Sequence, residues 1–227
     1  MKIAILGAMS EEIELLLARL EHTQLEYAKN KFYHANYKNH ELIIAYSKIG
    51  KVNSTLTSSI MIEKFGAEIL LFTGVAGAIS DGFKIADMTY ATRVCQHDLD
   101  ISAFGHPFGY VPGNEIYVST DANLNAIATQ VATQNGVTLK PATIASGDQF
   151  ICDEDKKQWI NKTFGADVVE MEGASVGVVC DALGVPFFIL RAISDEAGKK
   201  AEFDFDEFLI KTANLSADFI LKMIEKI

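Results

Sequence analysis

Apolar residues in this chain gather in short runs set apart by polar, helix-compatible stretches. Runs at Ile3–Leu6, Leu42–Tyr46, Ile69–Phe72, Met88–Cys95, Thr143–Ala145, Val168–Val169 and Val185–Leu190 read as extended segments. The last is almost continuously apolar, which suits a strand buried on both faces of a parallel sheet. Helical periods fill the gaps. Ser10 is placed to cap a helix from about Glu11, and Asn53–Phe65 ends at Gly66. Ala122–Asn135 follows Asp121 and ends at Gly136, and Glu154–Phe164 follows Asp153 and ends at Gly165. A last helix runs from about Phe205, opened by Asp204 and Glu207 at capping-box spacing. This alternation predicts an α/β fold, a three-layer αβα sandwich around a central mixed β-sheet, with one domain over residues 1–227.

The segment from Val168 to Asp195 concentrates the chemistry. Val168-Val169 runs into Glu170-Met171-Glu172, a small-residue helix follows and stops at Gly184, and the next strand ends in Arg191-Ala192-Ile193-Ser194-Asp195. Two parallel strands joined by a crossover helix would carry these acids at one carboxyl edge, where open α/β sheets bind ligands. Carboxylates at the ends of core strands are costly to bury unless something uses them. Glu12, in the first turn after the first strand, falls at the same edge. On spacing alone a helix-dipole carboxylate is the better explanation than catalysis, and Glu11 would serve that purpose equally well.

Composition narrows the partners. The chain has 227 residues, 49% hydrophobic and 22% charged, enough for one well-cored α/β domain. A net charge of -10 argues against nucleic acid and anionic membrane surfaces. Cys95, Cys152 and Cys180 are odd in number and widely spaced, which predicts free thiols and a cytoplasmic setting. The short apolar run near the amino terminus passes into Glu11, Glu12 and Glu14, unlike a targeting signal.

Familiar motifs fail one by one. Gly50-Lys51 has Ala45 where a phosphate loop needs glycine, and Val52 follows the lysine. Gly74-Val75-Ala76-Gly77 has the wrong spacing for a dinucleotide fingerprint and reads as a tight turn with close backbone approach. Gly173-Ala174-Ser175-Val176-Gly177 matches a nucleophile elbow, but all five histidines precede the serine, so tight helix packing is the better reading. His97-Asp98-Leu99-Asp100 with His106 fits no common metal spacing and reads as polar loop. No metal or cofactor is expected. Ser146-Gly147-Asp148-Gln149-Phe150-Ile151 offers an aromatic and an aliphatic residue to clamp a flat ring, or to anchor a loop in the core.

Taken in order, Gly7-Ala8-Met9 with Glu12, Ser47–Val52, Thr73–Gly77, Ala103-Phe104-Gly105, Ser146–Phe150, Val169–Ala174, Arg191–Asp195 and Phe205–Phe208 form one series. Together they resemble the bacterial 5′-methylthioadenosine/S-adenosylhomocysteine nucleosidases of the nucleoside phosphorylase fold, over essentially the whole chain. The resemblance implies hydrolysis of an N-glycosidic bond of an adenosine-type nucleoside. Asp195 matches the acid that protonates N7 of the base, oriented by Ser194, and Glu12 the group that activates water. Glu172 matches the carboxylate on the ribose hydroxyls, with Met171 and Arg191 beside it. Phe150 would stack on adenine, Ile151 would read its edge, and Val75 and Ile101 would also contact substrate.

The same resemblance places Met9 and Phe205 at a 5′ slot completed by Ile49, Phe104 and Pro112 of a partner, and so implies a homodimer. One departure stands out: Val75 occupies a position where many relatives have serine, which removes a hydroxyl beside Glu12. It points to a subgroup that also cleaves 6-amino-6-deoxyfutalosine, a menaquinone precursor. Two rivals remain. A purine nucleoside phosphorylase would need a cationic phosphate cradle. A nucleoside-binding sensor would need the pocket without its acid and base.

Overall fold

The computed structural model describes residues 1–198 and 201–227. The chain begins with β1 (Lys2–Gly7), α1 (Glu11–Arg19), β2 (His22–Tyr27), β3 (Asn30–Tyr37), β4 (His40–Tyr46), α2 (Lys51–Glu63) and β5 (Ile69–Phe72). It continues through β6 (Val75–Ala78), β7 (Met88–Gln96), β8 (Val118–Ser119), α3 (Ala122–Gln134) and β9 (Leu139–Ser146). It closes with α4 (Glu154–Phe164), β10 (Val168–Glu170), α5 (Gly173–Leu183), β11 (Phe187–Asp195) and α6 (Ala201–Ile224).

The strands form one mixed sheet in the order β2-β3-β4-β1-β5-β11-β6-β10-β9-β7-β8, and β11 also pairs with β7. That extra pairing closes β11, β6, β10, β9 and β7 into a ring. Side-chain alternation along β1 sets the layers. Ala4 and Leu6 pack in a core with residues of α2 and α5. Ile3 and Ile5 face the opposite core, built with α1, α3 and α6. A third cluster under α4 includes Ile151, Ile160 and Phe164. The expected sheet with helices on both faces is what forms.

The path from β10 to β11 differs from the expectation. They are not parallel neighbours: β6 lies between them, parallel to β11 and antiparallel to β10. The reason is the length of β11. All nine of its residues are buried, and it pairs with β5 only through Phe187–Ile189 before turning to β6 and β7. A bulge between Ile193 and Asp195 inserts Ser194 opposite the Ala76–Gly77 step. Bulges of this kind re-aim side chains beside sites.

The caps divide in two. Asp121 accepts from Leu124 N–H and Asp153 from Lys156 N–H, while Gly165 and Gly184 take the left-handed conformation. Ser10 does not cap α1. It is helical itself, and its hydroxyl donates to Glu11. Helix α6 starts at Ala201, so Asp204 lies in its first turn rather than at a cap, and the side chain of Glu207 falls outside the described residues. Gly74-Val75-Ala76-Gly77 is more than a turn, because Val75 opens β6. Gly173–Gly177 packs as expected, with the Ser175 and Ser54 hydroxyls 2.7 Å apart between α5 and α2.

Candidate active site

Glu12 is folded back against its own strand end rather than left on the helix surface. Its side chain is 2% exposed. One oxygen accepts N–H from Ala8 (2.5 Å) and Met9 (3.0 Å), and the other accepts from Val75 (3.0 Å). Burial pushes its pKa up, against the Arg191 charge and these three amides. A Cβ at Gly74 would stand 2.6 Å from Glu12 Oε1, and one at Gly77 would stand 2.7 Å from Asp195 Oδ2. The small residues of that stretch are what admit two carboxylates to the strand.

Glu170 organises the corner between β10 and α5. Its carboxylate takes Arg191 Nη2 at 2.7 Å, the Ser146 hydroxyl, and the N–H groups of Glu172 and Gly173 at the start of α5. Arg191, 1% exposed, lies with its guanidinium 4.0 Å over the Phe72 ring, and Nη1 donates to the Leu190 carbonyl. Removing one partner of such a buried pair strands the other charge, at about 3–5 kcal/mol. Arg191→Met is therefore expected to lower unfolding free energy by about that amount in denaturant melts. A loss below about 1 kcal/mol would mean that the other donors to Glu170 suffice.

The remaining carboxylates sit on separate elements. Glu172 Oε1 accepts the Gly50 N–H at 2.8 Å. Burial and then the nearby Glu170 raise its pKa. Asp195 accepts from the Ser194 hydroxyl (2.8 Å) and from Ala197 N–H (2.9 Å). Burial raises its pKa as well, outweighing these two hydrogen bonds, which favour the ionised form.

These groups border a cavity of about 550 Å³. Met9, Glu12, Val75, Phe150, Ile151, Met171, Glu172, Ser194, Asp195 and Phe205 all line it. Phe150 and Phe205 meet edge to face on its lining, with ring centroids 5.7 Å apart. Arg191 does not line the cavity but lies behind Glu12 and Glu170. Ile101, Phe104 and Pro112 are also off the lining, and Phe104 is 81% exposed. Ile49, expected from a partner, lines the cavity of its own chain because it immediately precedes the Gly50 that binds Glu172.

Several lining residues escaped the sequence reading, notably Ala76, Gly77, Gln149 and Glu202. The small-residue run after β5 was the available signal for the first two; Glu202 carries none. The cysteines are free, with Cys95 and Cys180 buried and Cys152 exposed. His97 lies in the turn after β7, as expected of a loop, but it is buried, and its N–H donates to the Ser146 carbonyl next to the β7–β9 pairing.

A family model described as the Phosphorylase superfamily matches residues 2–225. The aminodeoxyfutalosine nucleosidase of Campylobacter jejuni is 63% identical, with all of both chains covered. The 5′-methylthioadenosine/S-adenosylhomocysteine nucleosidase of Bacillus licheniformis is 36% identical, again over the full length of both. Among solved structures, an aspartate-to-asparagine variant of the Helicobacter pylori nucleosidase, with 5′-methylthioadenosine in its active site, matches with a TM-score of 0.98. It is 46% identical and covers 100% of this chain and 99% of that one. With its mixed sheet, its cavity ringed by carboxylates and full-length nucleosidase relatives, the chain belongs to the Phosphorylase superfamily and is a nucleosidase, a hydrolase of N-glycosidic bonds.

Proposed function

We propose that the enzyme hydrolyses 5′-methylthioadenosine, S-adenosylhomocysteine and 6-amino-6-deoxyfutalosine, releasing the base and a 5′-substituted ribose. The observation that carries this reading is a pair of buried acids at separate strand ends that face one cavity. Burial raises both; at Glu12 the Arg191 charge leads the opposing effects, whereas at Asp195 they are led by the Ser194 and Ala197 hydrogen bonds. Two carboxyl groups with different partners across one cavity are suited to act as base and acid. Asp195 then delivers a proton to the departing base, and Glu12 takes one from the attacking water. Glu172 accepts from the ribose hydroxyls, with Met171 against the sugar, while Phe150 and Ile151 hold the adenine.

Val75 lacks the hydroxyl that many relatives present here, but its backbone N–H reaches Glu12 at 3.0 Å, so the carboxylate keeps a partner on that side. The 63% identity to an aminodeoxyfutalosine nucleosidase supports including that substrate.

Phosphorolysis fits the cavity poorly. None of the described residues that line it is lysine or arginine, so it offers phosphate no cationic cradle. Adenine release from 5′-methylthioadenosine is expected to proceed in phosphate-free buffer and to change by less than about twofold on adding phosphate. Strict dependence on phosphate would restore the phosphorylase reading, and binding without any adenine release would favour a sensor.

We also read the enzyme as a single-domain cytoplasmic homodimer in which the partner subunit's Phe104 and Pro112 complete the 5′ slot. In support, Val52 and Leu56 expose apolar side chains one turn apart on α2, Ile49 exposes another just before the helix, and Phe104 is exposed as well. No described helix is long and apolar enough to cross a membrane.

A further inference from the structure

The chemistry assigned above leaves one ring of charged groups unused. Lys51 Nζ donates to Asp98 Oδ1 at 2.6 Å and to Gln96 Oε1 at 3.2 Å. The second oxygen of Asp98 accepts the Asp148 N–H at 2.8 Å, and Asp148 Oδ1 accepts the Lys51 N–H at 2.8 Å. Three links thus close a cycle through the start of α2, the end of β7 and the loop after β9. The Lys51 and Asp98 side chains are only 17% and 15% exposed. Burial pushes Asp98 up, but Lys51 and the Asp148 N–H outweigh it and hold it below the usual range.

The position of this ring relative to the site is informative. One residue before Lys51, Gly50 presents its N–H to Glu172. Two residues after Asp148, Phe150 forms the wall of the cavity. Gly50 has φ of +99°, and a Cβ there would stand 3.0 Å from Asp148 Oδ1, so the two segments touch without room for a side chain. Lys51 is also the first residue of α2, where the helix dipole disfavours a cation. An ammonium at that position is opposed by the helix it starts, and it is compensated by the link to Asp98.

We propose that Lys51 and Asp98 are positioning residues that hold the sugar-binding carboxylate Glu172 in register with the base clamp at Phe150. They act through Gly50 and Asp148 and do not touch substrate. This rests on the nucleosidase reading of the cavity.

The test compares Lys51→Met, Asp98→Asn, the double variant and Lys51→Arg with the unsubstituted enzyme. Steady-state kinetics on 5′-methylthioadenosine, the Kd for adenine alone and thermal melts are the readouts. Each single variant is expected to raise KM and the adenine Kd about tenfold while kcat falls less than about threefold. The double variant should be no worse than either single, because both cut one link. Lys51→Arg should recover most of the loss, since it keeps the charge. KM and adenine Kd within about twofold of the unsubstituted enzyme in both single variants would overturn the proposal, whatever the melts show. If Lys51→Met fails to fold, the near-isosteric Asp98→Asn decides alone. Absence of adenine release from the unsubstituted protein would sink the nucleosidase reading instead, and the adenine Kd would still decide this one.

Discussion

Asp195→Asn is expected to bind 5′-methylthioadenosine with nearly unchanged affinity and to lose about 10²–10⁴-fold in kcat, the usual contribution of a positioned acid. The reason lies in its two hydrogen bonds. Ala197 N–H and the Ser194 hydroxyl both reach the carboxyl. An asparagine satisfies the same pair by accepting from Ala197 and donating to a rotated Ser194 hydroxyl. Shape and polarity persist, whereas the transferable proton does not.

The pH profile gives an independent reading of the same group. Asp195 must be protonated to act, and burial raises its pKa. Activity is therefore full below that raised pKa and falls as pH rises through it. The alkaline limb of kcat/KM in the unsubstituted enzyme should be absent from the residual activity of Asp195→Asn. Unchanged turnover in the variant would remove Asp195 from the chemistry.

Much of the site was legible because each carboxylate follows a recognisable strand. Glu12 follows β1, Glu172 follows β10 and Asp195 ends β11. What pattern could not give was the route between them. A continuous apolar run says that β11 is buried on both faces, but not that it leaves β5 after Ile189 and changes neighbours. That depends on a bulge and on the closure with β7, and neither leaves a periodic trace.

The β2–β3 hairpin was missed for a local reason. All of β2 is exposed, so it lacks alternation. Its two-residue turn is Ala28-Lys29, both at positive φ, where Asn-Gly would have announced it. The side of Ile49 was misjudged for a different reason. The expectation came from resemblance, and only the Gly50–Glu172 contact shows that this segment lines its own cavity.

Glu12→Gln should be the most damaging conservative change in the protein. General-base loss alone predicts a fall of about 10²–10⁴-fold in kcat. A second cost follows from the surroundings, since all three neighbours of Glu12 are donors. Ala8 and Met9 N–H point at one oxygen and Val75 N–H at the other. A glutamine has one oxygen and one amide nitrogen, so either orientation turns an NH₂ against a backbone N–H. A buried donor left without a partner costs about 1–3 kcal/mol. Unlike Asp195→Asn, this variant should therefore lose stability together with turnover. It also removes the charge that faces Arg191. The pH dependence has the opposite sign to that of Asp195. Glu12 must be ionised, its pKa is raised, and activity falls as pH drops through it, so Glu12 supplies the acid limb. Measuring kcat, adenine affinity and the unfolding midpoint separates the effects. Turnover within about tenfold of the unsubstituted enzyme would exclude Glu12 as the base, even if the midpoint fell as expected.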